Sequence, residues 1–189
     1  MEKTFKKKDL ETNAFWDTTP DEVEALLKRR ETAFNVAKGK LADSGKIETV
    51  MQTAEAFGRG LFQDFIKEES DHWTMEKWAK PVVENIFSPM GTAVNFTKLT
   101  VGEAKSLVFK WPLHKESKEM QIGSLFTYGF LRGMFLSAFP EGEILMESAM
   151  VKDSPIMEFT FKTKAIDADR FERERVKNFF TAQTKKSEE

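Results

Sequence analysis

A chain of 189 residues is long enough for one hydrophobic core of ordinary size and too short for two full domains once its charged ends are set aside. Hydrophobic residues make up 40%, with 18 Phe and 9 Met, so the chain can bury enough apolar surface to fold without a metal or a disulfide; charged residues, at 32%, almost cancel to a formal net charge of −2, which implies neither a nucleic-acid partner nor a membrane-surface field. The absence of cysteine excludes disulfides, Cys-based zinc sites, iron–sulfur ligation and a thiol nucleophile together.

The N-terminus is polar and charged from Glu2 to Asp9 and lacks the apolar stretch of a signal peptide. No window approaches the roughly 18 apolar residues of a spanning helix, so a cytoplasmic protein with no membrane span is expected. Residues 1–17 read as irregular, although Phe15 and Trp16 are large enough to dock on a surface. Thr19-Pro20-Asp21-Glu22 then supplies an N-cap, a proline at the first helical position and an acid at the third, which together answer the free amides of a helix start. Val23, Leu26, Leu27, Phe34, Ala37 and Leu41 follow, mostly at helical spacing, and Ser44-Gly45 marks the stop. This first helix runs about 24 residues and about 36 Å.

A second helix, Lys46 to Lys67, carries a wide apolar face that includes Val50, Ala54, Phe57, Leu61 and Phe62, with Gly58 and Gly60 admitting a close neighbour. Glu68 to Trp73 is a polar connection. Thr74 caps a shorter helix containing Trp78, Val82, Val83, Ile86 and Phe87, in which Pro81 sits near a delayed start or at a kink, and Ser88-Pro89-Met90-Gly91 ends it. The period then changes. Ala93 to Val101, a turn at Gly102-Glu103 and the extended run Ser106 to Trp111 read as a hairpin.

Lys118 to Phe139 is the most apolar stretch, and its length and lack of alternation predict a buried helix. Two strands follow, Glu143 to Val151 and Ile156 to Thr163, parted by the turn signal Lys152-Asp153-Ser154-Pro155. Met157, Phe159 and Phe161 alternate with Glu158, Thr160 and Lys162, so one face of the last strand is buried and the other wet. Asp167 to Gln183 reads as a charged terminal helix in which Phe171, Val176, Phe179 and Phe180 are the large apolar points, followed by a polar tail. The fold class is α+β. The organisation is an N-terminal segment and helix over 1–45, an α+β domain over 46–165, and a charged helix and tail over 166–189.

Residues 120–161 carry a Gly-x-x-x-Gly helix, Ser124-Leu125-Phe126-Thr127-Tyr128-Gly129-Phe130-Leu131-Arg132-Gly133, then a strand ending Glu147-Ser148-Ala149-Met150 and an aromatic strand from Met157 to Phe161. This pattern resembles the end of the 4-vinyl reductase domain family, whose fold is shared with the trafficking subunits of the TRAPP tethering complex. The motif spans about a quarter of the chain, and the order of elements extends the likeness over residues 46–163. Where zinc-binding relatives carry cysteine this chain has Ser124, Met150 and Met157, so no zinc is expected there. The resemblance implies a four-stranded antiparallel sheet packed with helices and a tendency to dimerise. It also implies either a hydrophobic ligand held between sheet and helices or a place in a larger assembly. The alternative is that Gly129 and Gly133 mark only close helix packing in an ordinary α+β layer.

The two histidines, His72 and His114, fall in separate polar connections. His72 lies near Glu68, Glu69 and Asp71, but the spacing typical of zinc sites is absent, and no metal or cofactor is expected. No Gly-x-Ser-x-Gly, P-loop or dinucleotide fingerprint occurs, which ranks an enzyme last among the readings. Arg132 stands in a largely apolar stretch: facing inward it needs an anion, either Glu147 or a ligand carboxylate, and facing outward it needs none. Trp111, Tyr128, Met134, Phe135, Met150 and Met157 are candidates to line a ligand cavity, although Met and aromatic residues at such positions more often form plain core. Two readings lead. One is a non-catalytic accessory or assembly subunit with a protein partner or a homodimer; the other is a sensor or carrier of a small hydrophobic molecule, with or without an anionic group, held between the 118–139 helix and the sheet.

Overall fold

The computed structural model describes residues 19–66, 73–109, 117–149 and 156–164. Helix α1 spans Pro20–Ser44 and opens on the expected capping box: Thr19 Oγ1 accepts from the Glu22 amide at 3.3 Å, and the Glu22 carboxylate accepts from the Thr19 amide at 2.8 Å. Gly45, at φ 66°, closes it by donating to the Leu41 carbonyl at 2.8 Å, a backbone turn that favours glycine. Helix α2 spans Glu48–Phe65 and α3 spans Met75–Val82, the latter capped by Thr74.

Pro81 lies inside α3, so the delayed start is excluded and its missing amide breaks the regular ladder near the helix end. The chain continues without interruption into a π-turn, Val83–Phe87, closed by the Ser88 amide on the Val83 carbonyl at 2.9 Å. That wider turn keeps Val83, Ile86 and Phe87 on the buried side.

Strands β1 (Val94–Leu99), β2 (Glu103–Val108), β3 (Glu143–Ser148) and β4 (Met157–Lys162) form one antiparallel sheet in the order β1-β2-β4-β3, as the resemblance implied. Helix α4, Ser117–Ala138, connects the two hairpins. The central β2–β4 pairing is regular, whereas the register slips between Phe96 and Lys98 on β1 and between Met146 and Ser148 on β3. Phe161, Phe159 and Met157 point into the core, while the alternate positions form rows such as Glu103, Lys162 and Glu143, where unlike charges sit side by side on the outer face. Thr160, also on that side, is nevertheless buried, with Lys105 and Leu145 as its cross-strand neighbours.

The core is largely aromatic. Between α3, α4 and the sheet, Trp78, Phe135 and Phe161 form a triangle with ring centroids 5.0–5.2 Å apart, and the Trp78 indole donates to the Met134 carbonyl at 3.3 Å. Between α1, α2 and α4, Phe34 meets Phe126 edge-on at 5.3 Å and Phe57 stacks on Phe130 at 5.3 Å. Helix α1 is held from outside by ion pairs, Arg29–Asp64 to α2 and Lys38–Glu119 to α4, each at 2.7 Å. From inside it is held by Arg30, whose guanidinium is buried and donates to the Met90 carbonyl at 2.8 Å. Burial lowers the Arg30 pKa to about 10, against a smaller opposing effect of Glu31. No helix among the described residues is long and apolar enough to cross a membrane.

Several sequence expectations lie outside the described residues: Phe15 and Trp16, His72 and its acidic neighbours, Trp111, His114, Met150, the turn at Lys152–Pro155 and the terminal helix from Asp167.

Candidate functional site

Helix α4 is covered on most of its circumference. Its α2-facing side is built on glycine: a methyl group at Gly129 would lie 2.5 Å from the Met51 carbonyl oxygen, and one at Gly133 would fall on the Glu55 carbonyl oxygen. From the other helix, Gly58 approaches the Phe130 carbonyl just as closely. The two backbones are in direct contact, which only side chains ending at Cα allow. Gly60, expected to serve the same purpose, lies on the far side of α2 and faces open space; a methyl group there would meet nothing within 4 Å.

The sheet-facing side of α4 carries Leu131, Met134, Phe135 and Ala138, all buried. What remains is a stripe of half-buried side chains, Leu125, Tyr128, Arg132 and Leu136, spaced by three, four and four residues. The stripe has α2 on one side and the edge strand β3 on the other. The Tyr128 hydroxyl donates to the Ile144 carbonyl of β3 at 3.4 Å, and Arg132 pairs with Glu55 of α2. Glu55 also accepts from Arg59 one turn along α2, so two guanidinium groups share one carboxylate. The side chains of Arg132 and Arg59 are 43% and 51% exposed and that of Glu55 is 18% exposed, which places a surplus cation in the middle of the stripe, in reach of solvent.

The sequence-predicted site residues therefore divide. Phe135 and Met157 are fully buried between α4 and the sheet with Met134; Tyr128 and Arg132 lie on the outward stripe; Glu147 is exposed on β3; Trp111 and Met150 fall outside the described residues. Arg132 faces outward, one of the two orientations the sequence left open, and it pairs with Glu55, a partner the sequence did not point to. The pairing follows from helix geometry, since Gly129 and Gly133 draw α2 against α4 and bring Glu55 to the arginine. Ser124 and Met157 are buried, and no three His, Asp or Glu side chains gather into a group that could hold a metal ion among the described residues.

No protein-family profile matches the chain, and no curated protein matches its sequence. Among solved structures it is similar to a trafficking protein particle complex subunit 3 from Naegleria fowleri, determined covalently bound to palmitic acid. The two align with a TM-score of 0.52 at 13% sequence identity, over 75% of this chain and 95% of that one. The fold is TRAPP-like.

Sequence reasoning missed Glu55, Arg59, Leu125 and Leu136 as members of the stripe and its margin. The Glu55–Arg59 spacing of one helical turn was readable as a pair on α2. Nothing local to either helix tied that pair to Arg132.

Proposed function

We propose that this chain is a non-catalytic accessory or assembly subunit of a larger cytoplasmic protein complex, built on a domain of the kind shared by 4-vinyl reductase proteins and TRAPP subunits. The observation that carries this reading is where the chemistry lies. Among the described residues, the candidate lining groups Phe135 and Met157 are consumed by the core, Arg132 and Tyr128 look outward, and polar and half-buried apolar groups meet on the α4 surface. A surface of that composition suits a protein partner or a second copy of the chain. The TRAPP-like fold adds a precedent for assembly, since the similar structure is itself a subunit of a trafficking complex.

A carrier of a hydrophobic, anionic molecule is the second reading, favoured by one observation, the palmitic acid held covalently by the similar structure. The chain has no cysteine, so a cysteine thioester to an acyl chain is closed to it. In this chain the Trp78, Phe135 and Phe161 rings occupy the layer between α4 and the sheet, which weighs against an acyl chain lying there.

Native mass spectrometry of the protein purified from its own host decides between the two. A protein partner or second copy in fixed stoichiometry is the expected result. A small added mass that leaves on denaturation, with no protein partner, would replace the assembly reading by the carrier.

A further inference from the structure

We propose that the α4 stripe is the contact between two copies of this chain, which meet antiparallel across a twofold axis so that Arg132 of each copy lies against the Tyr128 ring of the other. The inference rests on the assembly reading and gives it a surface and a partner. Three observations carry it: the order of chemical types along the stripe, their spacing, and the surplus cation at its middle.

Ascending α4, the stripe runs leucine, aromatic ring, cation, leucine, as Leu125, Tyr128, Arg132 and Leu136, at intervals of three, four and four. Those intervals hold all four on one side of the helix. The order is self-complementary. Reversed and laid against itself about a midpoint near residue 130, it sets Leu125 against Leu136 at both ends and Tyr128 against Arg132 twice between them, as an isologous contact requires.

The cation selects this arrangement over its neighbours. Glu55 accepts from both Arg132 and Arg59, and the Arg132 side chain is 43% exposed, so its guanidinium has a face free to lie on a ring, which attracts a planar cation without a second carboxylate. The Tyr128 hydroxyl donates to the Ile144 carbonyl of β3 at 3.4 Å, which holds that ring in place on the helix before a partner arrives. A parallel pairing would set Arg132 on Arg132. An antiparallel pairing slid by a turn, with its midpoint on Tyr128 or on Arg132, would leave each arginine against a leucine or against the other arginine. Three turns of helix, about 16 Å, form a narrow strip below the area of a standard stable interface, so the dimer depends on concentration.

The absence of native cysteine makes the geometry readable by cross-linking. Helix axes about 8–10 Å apart bring facing Cα atoms to about 4–5 Å, within disulfide reach, whereas the two copies of Leu125 would stand about 15 Å apart along the helices. Leu125→Cys protein mixed with Leu136→Cys protein should therefore form the mixed disulfide about tenfold faster than either variant joins itself, and about tenfold faster than either joins Gly60→Cys, whose position faces open space on the far side of α2. Arg132→Gln keeps a hydrogen-bond donor for Glu55 and removes the cation; it should weaken dimerisation in sedimentation equilibrium by about tenfold, the effect of losing two exposed cation–π contacts, with the melting temperature of the monomer unchanged. The proposal is overturned if each cysteine variant joins itself as fast as the mixed pair forms, if the mixed disulfide forms no faster than the Gly60→Cys control, or if Arg132→Gln leaves dimerisation as it was. Failure of the mixed disulfide strikes this contact alone, whereas the assembly reading falls only on the native spectrum.

Discussion

A methyl group added at Gly133 would have to occupy the place of the Glu55 carbonyl oxygen, a backbone atom that moves only if α2 moves. Gly133→Ala should therefore cost about 1–3 kcal/mol in urea unfolding, the range of overpacking a rigid contact. At Gly60 the same change meets open space within a helix and should stabilise by about 0.5–1 kcal/mol. The two outcomes, opposite in sign, test the α2–α4 contact without reference to any ligand. Arg30 presents a different case. Its guanidinium is buried, its pKa lowered by that burial, and it holds α1 to the turn after the π-segment through the Met90 carbonyl. Arg30→Ala should lose about 2–4 kcal/mol, because it removes a charged hydrogen bond to a carbonyl and opens a cavity beneath α1. Thermal unfolding against the parent protein measures it.

Among the elements, α1 was legible almost to the residue, since its start and stop are local chemistry: Thr19 and Glu22 answer each other's amides, and Gly45 takes the left-handed turn. Thr19→Ala should cost about 1 kcal/mol, read from the unfolding midpoint, with no change in fold. The four strands and α4 were legible for a related reason, a period of two or an unbroken apolar run. The π-turn after Pro81 was not, because a missing amide admits a kink, a break or a widened turn, and packing of Ile86 and Phe87 makes the choice. The site was legible only in part. Tyr128 and Arg132 could be singled out on one helix, yet whether they faced sheet or solvent depended on α2, and the partner Glu55 sits far away in sequence. Gly58 and Gly60 make the same point, being alike in the chain and unlike in the fold.

At the scale of the whole molecule, the ring triangle of Trp78, Phe135 and Phe161 joins α3, α4 and the sheet into one unit. Phe135→Ala should accordingly cost about 3–5 kcal/mol and lower the cooperative transition as a whole rather than release one element, which circular dichroism and near-ultraviolet signals followed together would establish. The slips in register fall only on β1 and β3, the two borders of the sheet, and spare the central pair. A bulged border twists its unpaired amides and carbonyls out of line, and on β1 the slip is accompanied by the exposed Lys98. Neither border offers a straight template on which another copy could lay down a strand, which protects the protein against ribbon-like self-polymerisation through its sheet.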